Sequence, residues 1–208
     1  MRFITLKKAF NSPTTITNLA DISLQILGQP GAGLFSFLLT SPYGWVVSKM
    51  ALMRIALGAD HAGFELKDQI KQHLQQQGFD VRDEGTSSSE SVDYPDYARA
   101  VANDVSEQRA DLGILVCGSG IGMAISANKV DGIRAANVST EYEAQMSREH
   151  NNANVLALGA RIINAEAAFH IVDKWLATPF AGGRHERRVE KITAIEKEED
   201  AAGSARES

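Results

Sequence analysis

The chain has 208 residues, 44% of them hydrophobic and 23% charged, with a net charge of −5. That length allows one ordinary domain plus an appendage, and the composition is globular rather than disordered. The acidic balance gives no broad basic footprint for nucleic acid, and no apolar run approaches the ~20 residues of a membrane helix. A single cysteine, Cys117, excludes an internal disulfide and fits a reducing, cytoplasmic compartment.

Residues 1–52 differ from the rest. They carry Arg2, Lys7, Lys8 and Lys49 against one acid, Asp21, a balance of +3 that leaves −8 for the remainder. Their apolar part lies far from the basic start, and Pro30-Gly31-Ala32-Gly33 interrupts it. The expectation is a mis-assigned start or disposable extension rather than a working targeting signal, with the true domain starting near Met50 or Met53.

From Met53 onward strand and helix patterns alternate. Arg54–Gly58 predicts a strand and Phe64–Gln77 an amphipathic helix, with Phe64, Leu66, Ile70 and Leu74 near helical spacing and Gly78 at its end. Phe79–Asp83 predicts a second strand and Gly85–Ser91 a polar loop. Pro95 suits the first turn of a helix reaching Glu107. Strands follow at Asp111–Val116, Ile133–Val138 and Asn154–Leu158, with helices at Ile121–Val130, Thr140–Glu149 and Ala165–Leu176. A last helix runs from about Arg184 to Glu196, before a disordered tail at Glu198–Ser208. This alternation predicts a three-layer α/β/α Rossmann-like fold, a five-stranded parallel sheet covered on both faces, plus a C-terminal helix.

In such sheets ligands bind beyond the carboxyl ends of the strands. Asp60-His61 follows the first strand, Cys117-Gly118-Ser119-Gly120-Ile121-Gly122 the third, and Gly159-Ala160-Arg161 the fifth, all on one edge. The third segment carries a thiol into a glycine-rich turn whose unobstructed N–H groups favour an anion, and a thiolate over a thiol. Asp60 reads either as a ligand to a sugar or phosphate, with His61, or as a plain helix cap. His150-Asn151-Asn152 reads as a C-cap or as a catalytic histidine with its neighbour, and it falls on the opposite edge. Arg184 and Arg188, four apart, suit a phosphate dianion; the alternative is a solvated turn pairing with Glu186 and Glu190. His73 and His170 read as packing or surface residues. No metal-ligand spacing occurs, so no metal or cofactor is expected. Gly118, Gly120 and Glu141 mimic a dinucleotide fingerprint, but the third glycine falls at 122, where the pattern needs 123.

Together, Gly58-Ala59-Asp60-His61-Ala62-Gly63, Asp93-Tyr94-Pro95, Cys117 through Gly122, Ser147 through Asn152, Asn154-Val155-Leu156 and Gly182-Gly183-Arg184-His185 resemble the type B ribose-5-phosphate isomerases. That family includes galactose- and allose-6-phosphate isomerases. The resemblance spans about Met53 to Glu196. It implies interconversion of ribose 5-phosphate and ribulose 5-phosphate, with Cys117 as base and His150 as ring-opening acid. Sugar and phosphate contacts then fall to Asp60, His61, Gly118, Ser119, Gly120, Ile121, Gly122, Asn151, Arg161, Arg184 and Arg188. It also implies a homodimer or homotetramer with sites spanning two subunits, which accounts for the edge on which His150 and Asn151 lie. The alternatives are an isomerase of a six-carbon sugar phosphate and a non-catalytic nucleotide-binding module.

Overall fold

The computed structural model describes residues 52–206 and a short ladder before them, Thr40–Ser41 antiparallel to Gly44–Trp45. The reading of residues 1–52 as an extension therefore falls almost wholly outside the described residues. The domain runs β1 (Arg54–Ala59), α1 (Phe64–Gln76), β2 (Asp80–Gly85), α2 (Tyr94–Ser106), β3 (Leu112–Cys117), α3 (Ile121–Ala127), β4 (Ala135–Asn137), α4 (Glu141–Asn151), β5 (Val155–Gly159), α5 (Ala165–Ala177) and α6 (Glu186–Arg206).

The five strands form one parallel sheet in the order β2-β1-β3-β5-β4. Composition explains the order. β3 and β5 are buried throughout and β1 almost throughout, so they occupy the centre. The polar β2 and the three-residue β4 take the edges. One core layer joins Leu66, Ile70 and Leu74 of α1 to Ala144 of α4 and Ile171, Val172 and Trp175 of α5. The other face holds Ala98, Val101 and Ala102 of α2 with Met123, Ala124 and Ala127 of α3. β1 sends its connection toward β2 while β3 sends its own the other way, past β5 to β4. The crevice between the carboxyl ends of β1 and β3 is thus the topological switch point, where such sheets bind ligands.

Most predicted elements form, with ends displaced by a residue or two. Three differences are larger. α3 stops at Ala127 rather than Val130, because the Asn128 side chain bonds both the N–H and C=O of Ala135 at 2.7 and 2.9 Å and turns the chain into β4. β4 keeps only Ala135–Asn137 of the predicted Ile133–Val138. At the C-terminus, helix α6 continues to Arg206 where a disordered tail was expected from Glu198; Glu198, Glu199, Ala201, Ala202, Ala205 and Arg206 in that stretch are all helix formers. The α6 start also moves, to Glu186. Gly182 and Gly183 adopt φ of 62° and 56°, a left-handed pair that holds Arg184 and His185 in a turn before the helix.

Gly63 fixes how α1 meets the sheet. A Cβ there would lie 2.3 Å from the Val116 carbonyl oxygen. Gly63→Ala should therefore displace the α1 entrance, costing about 2 kcal/mol or more, as overpacking does. Urea unfolding of the two proteins measures this, and an unchanged midpoint would contradict the contact.

Candidate active site

Cys117 ends β3 with 5% of its surface exposed. Its Sγ accepts the Gly120 N–H at 3.0 Å, and Gly120 turns the chain into α3 with a φ of 79°. The turn packs without spare room. A Cβ on Gly118 would approach Arg161 Nη1 to 3.3 Å, so that guanidinium lies over the turn, and one on Gly120 would strike Asn137 Oδ1. Gly122 sits against the Tyr94 ring. Backbone bonds tie the β3 and β5 ends together: Ala160 N–H to Cys117 O at 2.8 Å and Arg161 N–H to Gly118 O at 3.0 Å. Ser119 and Ile121 face outward, with the Ile121 N–H reaching Ser119 Oγ at 3.4 Å.

Across the crevice, the Asp60 N–H donates to Val116 O at 3.2 Å. Asp60 Oδ1 accepts the Ala62 and Gly63 N–H groups at 2.9 and 3.0 Å. The capping alternative is thus half realised: Asp60 closes the turn before α1, while Gly63 is the N-cap. Oδ2 takes no protein donor among the described residues. His61 Nδ1 accepts the Val92 N–H at 3.3 Å. That bond places the ring's proton on Nε2, as a donor available to an anion.

His150 and Asn151 end α4 at the other edge of the sheet. Thr140 and Glu143 start that helix with a capping box, and Asn152 closes it in the left-handed region. Arg134 Nε and Nη2 bond the Asn152 carbonyl at 3.1 and 3.0 Å, and Arg148 Nη1 bonds that of Ala153 at 2.7 Å. Burial lowers the pKa of both guanidinium groups, yet both are held by carbonyls at the helix C-terminus, where cations are favoured. The C-cap reading therefore belongs to Asn152 and not to His150. The His150 ring lies flat on His185, with centroids 4.2 Å apart and planes within 6°. Arg184 Nε donates to His185 Nε2 at 3.2 Å and the Arg188 N–H bonds His185 O at 3.0 Å, and neither side chain pairs with a carboxylate among the described residues. They are not one turn apart on a helix as expected, since α6 begins only at Glu186.

The sequence-predicted residues thus form two groups. Asp60, His61, Cys117, Gly118, Ser119, Gly120, Ile121, Gly122 and Arg161 gather at the carboxyl ends of the strands. His150, Asn151, Arg184 and Arg188 gather at the amino ends. The Asn154 carbonyl, just past α4, accepts the Gly113 N–H at the start of β3. Cys117 lies four residues further along, roughly 13 Å at 3.3 Å per residue. Sequence reasoning assigned no role to Tyr94, Asn137 or His185. Tyr94 and His185 stood inside quoted motifs; nothing in the sequence marked Asn137, which β4 delivers. A groove of about 700 Å³ lies beside the second group, lined by Arg134, Asn151, Ile192 and Ile195 among others. Among the described residues, no group of three or more His, Cys, Asp or Glu side chains could hold a metal ion, and no helix is long and apolar enough to cross a membrane.

The family model of ribose/galactose isomerases matches residues 55–192. The chain belongs to that family. It is 53% identical to ribose-5-phosphate isomerase B of Escherichia coli strain K12 over 145 residues, 70% of this chain and 97% of that protein. Among solved structures it resembles ribose-5-phosphate isomerase B of Clostridium thermocellum, at 51% identity and a TM-score of 0.70, covering 70% of this chain and 99% of that one. It also resembles the Mycoplasma genitalium enzyme solved with bound ribulose 5-phosphate, at 44% identity and a TM-score of 0.68, covering 70% and 97%. The family match begins within β1 and ends within α6, so both groups of candidate residues lie inside it.

Proposed function

We propose that the chain interconverts ribose 5-phosphate and ribulose 5-phosphate, in a site that two copies of it complete together. The observation that carries this is the Cys117 sulfur, held by the Gly120 N–H at the switch point, with Arg161 over its turn and Asp60 and His61 following the neighbouring strand β1. An aldose–ketose isomerisation moves one proton between adjacent carbons through an enediolate. The Cys117 thiolate removes the C2 proton, and the same sulfur returns a proton at C1. N–H groups of the Gly118–Gly122 turn face the charge developing on oxygen; one such donor is typically worth ~3 kcal/mol. No electrons leave the substrate, so the reaction itself needs no redox cofactor.

The sugar rests mainly as a ring, and His150 supplies the proton that opens it. Asp60 and Asn151 orient the hydroxyls. Arg184 and Arg188, with His61 and Arg161, grip the phosphate and anchor the substrate away from the reacting carbons. The strand length between the two groups supports pairing Cys117 of one subunit with His150 of another. The exposed Ile192 and Ile195 beside the groove suit a subunit contact in a homodimer or homotetramer. A lone unpaired cysteine acting as thiolate suits a reducing, cytoplasmic setting.

A coupled assay with ribose 5-phosphate tests the activity, with allose 6-phosphate as the competing substrate. Turnover of the six-carbon sugar alone would reject the pentose reading. Shared sites make a sharper prediction. Cys117→Ala and His150→Ala chains, each inactive, should regain about a quarter of wild-type activity when unfolded together and refolded at equal amounts. Half of the resulting dimers are then mixed, and each mixed dimer holds one intact site out of two. No recovery in a mixture shown to exchange subunits would place both residues in one chain's site.

A further inference from the structure

We propose that His185 is a positioning residue: a neutral imidazole that holds the His150 ring and the Arg184 guanidinium together in their working orientations. This rests on the roles given to His150 and Arg184 above. Its placement comes from the turn before α6. The His185 N–H returns to Gly182 O at 3.0 Å, and the Ala181 N–H bonds Glu149 O at 3.0 Å, so the turn is fastened to the last residues of α4.

Two contacts define its role. The rings of His150 and His185 stack at 4.2 Å and 6°. Arg184 Nε donates to His185 Nε2 at 3.2 Å. An imidazolium has no acceptor, so the bond requires a neutral ring with its proton on Nδ1. Arg184 and Arg188 from its own segment and His150 from α4 face His185 and reinforce that state, whereas Glu149 of α4 works against it. Burial first, then His150, Arg184 and Arg188, lower the His185 pKa, against a smaller opposite effect of Glu149.

His185 is 7% exposed, whereas the His150 side chain is 36% exposed. Of the two rings only His150 is open to a ligand. With Nε held by His185, Arg184 keeps its terminal nitrogens for an anion. One buried ring thus links the group that grips phosphate to the group that opens the sugar.

Two substitutions separate the contacts. His185→Phe keeps a flat surface under His150 and removes the acceptor. KM for ribose 5-phosphate should rise about tenfold, the size expected for losing a charged hydrogen bond, with kcat little changed. His185→Gln keeps an acceptor near the Nε2 position and removes the stack. There kcat should fall up to about tenfold with KM little changed. Ribulose 5-phosphate is already open-chain, so exchange of its C1 proton in D2O, followed by NMR at saturating ketose, bypasses ring opening. Both variants should retain that exchange within about threefold, because the Cys117 half of the site is untouched.

The proposal is overturned if the Phe variant fails to raise KM more than the Gln variant, if the Gln variant fails to lower kcat more than the Phe variant, or if exchange falls in step with turnover. Melting curves establish that each variant is folded. Should one not fold, His185→Leu carries the test: combined KM and kcat defects with exchange retained support the proposal, and unaltered kinetics overturn it. His150→Ala in the same exchange assay separates this from the underlying assignment. Loss of exchange equal to loss of aldose turnover in that variant would reject the ring-opening role itself.

Discussion

Cys117→Ala is expected to lower kcat for ribose 5-phosphate by at least about 10³-fold, the upper part of the range for a positioned acid or base. Binding should survive. In the proposed site the sulfur contributes little to holding the substrate, since the phosphate is assigned to Arg184, Arg188, His61 and Arg161, and the hydroxyls to Asp60 and Asn151. Calorimetric Kd for the sugar phosphate should therefore stay within about threefold, the pattern of an interaction made only in the transition state. The substitution also leaves the Gly120 N–H without its 3.0 Å partner in a buried turn, which should lower stability by about 1 kcal/mol. Cys117→Ser distinguishes a base from a packing group. The hydroxyl restores an acceptor for Gly120 but is a far weaker acid than a thiol, so stability should recover and turnover should not. A serine enzyme within tenfold of wild type would show that the proton is carried elsewhere.

The largest stability effect outside the site is expected at Lys67. This lysine is 1% exposed, and its Nζ donates to both oxygens of Asp83, at 2.8 and 3.0 Å, and to Thr86 O at 2.8 Å. Lys67→Met keeps the volume and removes the charge. It leaves the Thr86 carbonyl without that donor and Asp83 supported only by Lys71, at 2.8 Å, and the Gly85 N–H. Breaking a buried pair from one side costs about 3 kcal/mol at the lower end of its range, roughly 10 °C in Tm for a domain of this size. Activity should fall too. Thr86 bonds Ala59 O next to Asp60, and the loop beyond it supplies the Val92 N–H that orients His61. Adding Asp83→Leu removes the stranded carboxylate, so the double variant should be more stable than Lys67→Met alone. Further loss in the double variant would contradict this account.

The same cluster sets an acid limit. Burial pushes the Asp83 carboxyl up, but bonds from Lys67, Lys71 and the Gly85 N–H outweigh it and hold the pKa below the usual carboxylate value. A carboxyl with a lowered folded pKa stabilises the fold fully above its ordinary value of about 3.9, and that contribution is lost as pH falls through the folded value. Stability measured by urea midpoint should drop below about pH 4, and Asp83→Asn should be weaker at neutral pH and flatter in acid.

Much of this was legible in the residues themselves, because it depends on short-range rules. Short apolar runs at Ile114-Leu115-Val116 and Val155-Leu156, set between helical patterns, read as buried parallel strands, and Phe64, Leu66, Ile70 and Leu74 carried a helical period. Chain direction then placed Asp60, Cys117 and Arg161 on one edge of the sheet, and His150 on the other. The glycines around Cys117 announced a turn with open N–H groups.

Tertiary structure alone decided what depends on contacts between distant segments. The order β2-β1-β3-β5-β4 arises because the fully apolar strands compete for the centre of the sheet, and local sequence does not show which will neighbour which. The left-handed pair Gly182-Gly183 delays α6 and sets Arg184 and His185 against α4, a contact between elements far apart in the chain. Tail residues whose composition suggested disorder continue that helix instead. The pattern has one physical source: periodicity and turn chemistry act over a few residues, whereas stacking, charge burial and strand order are settled only when remote segments meet.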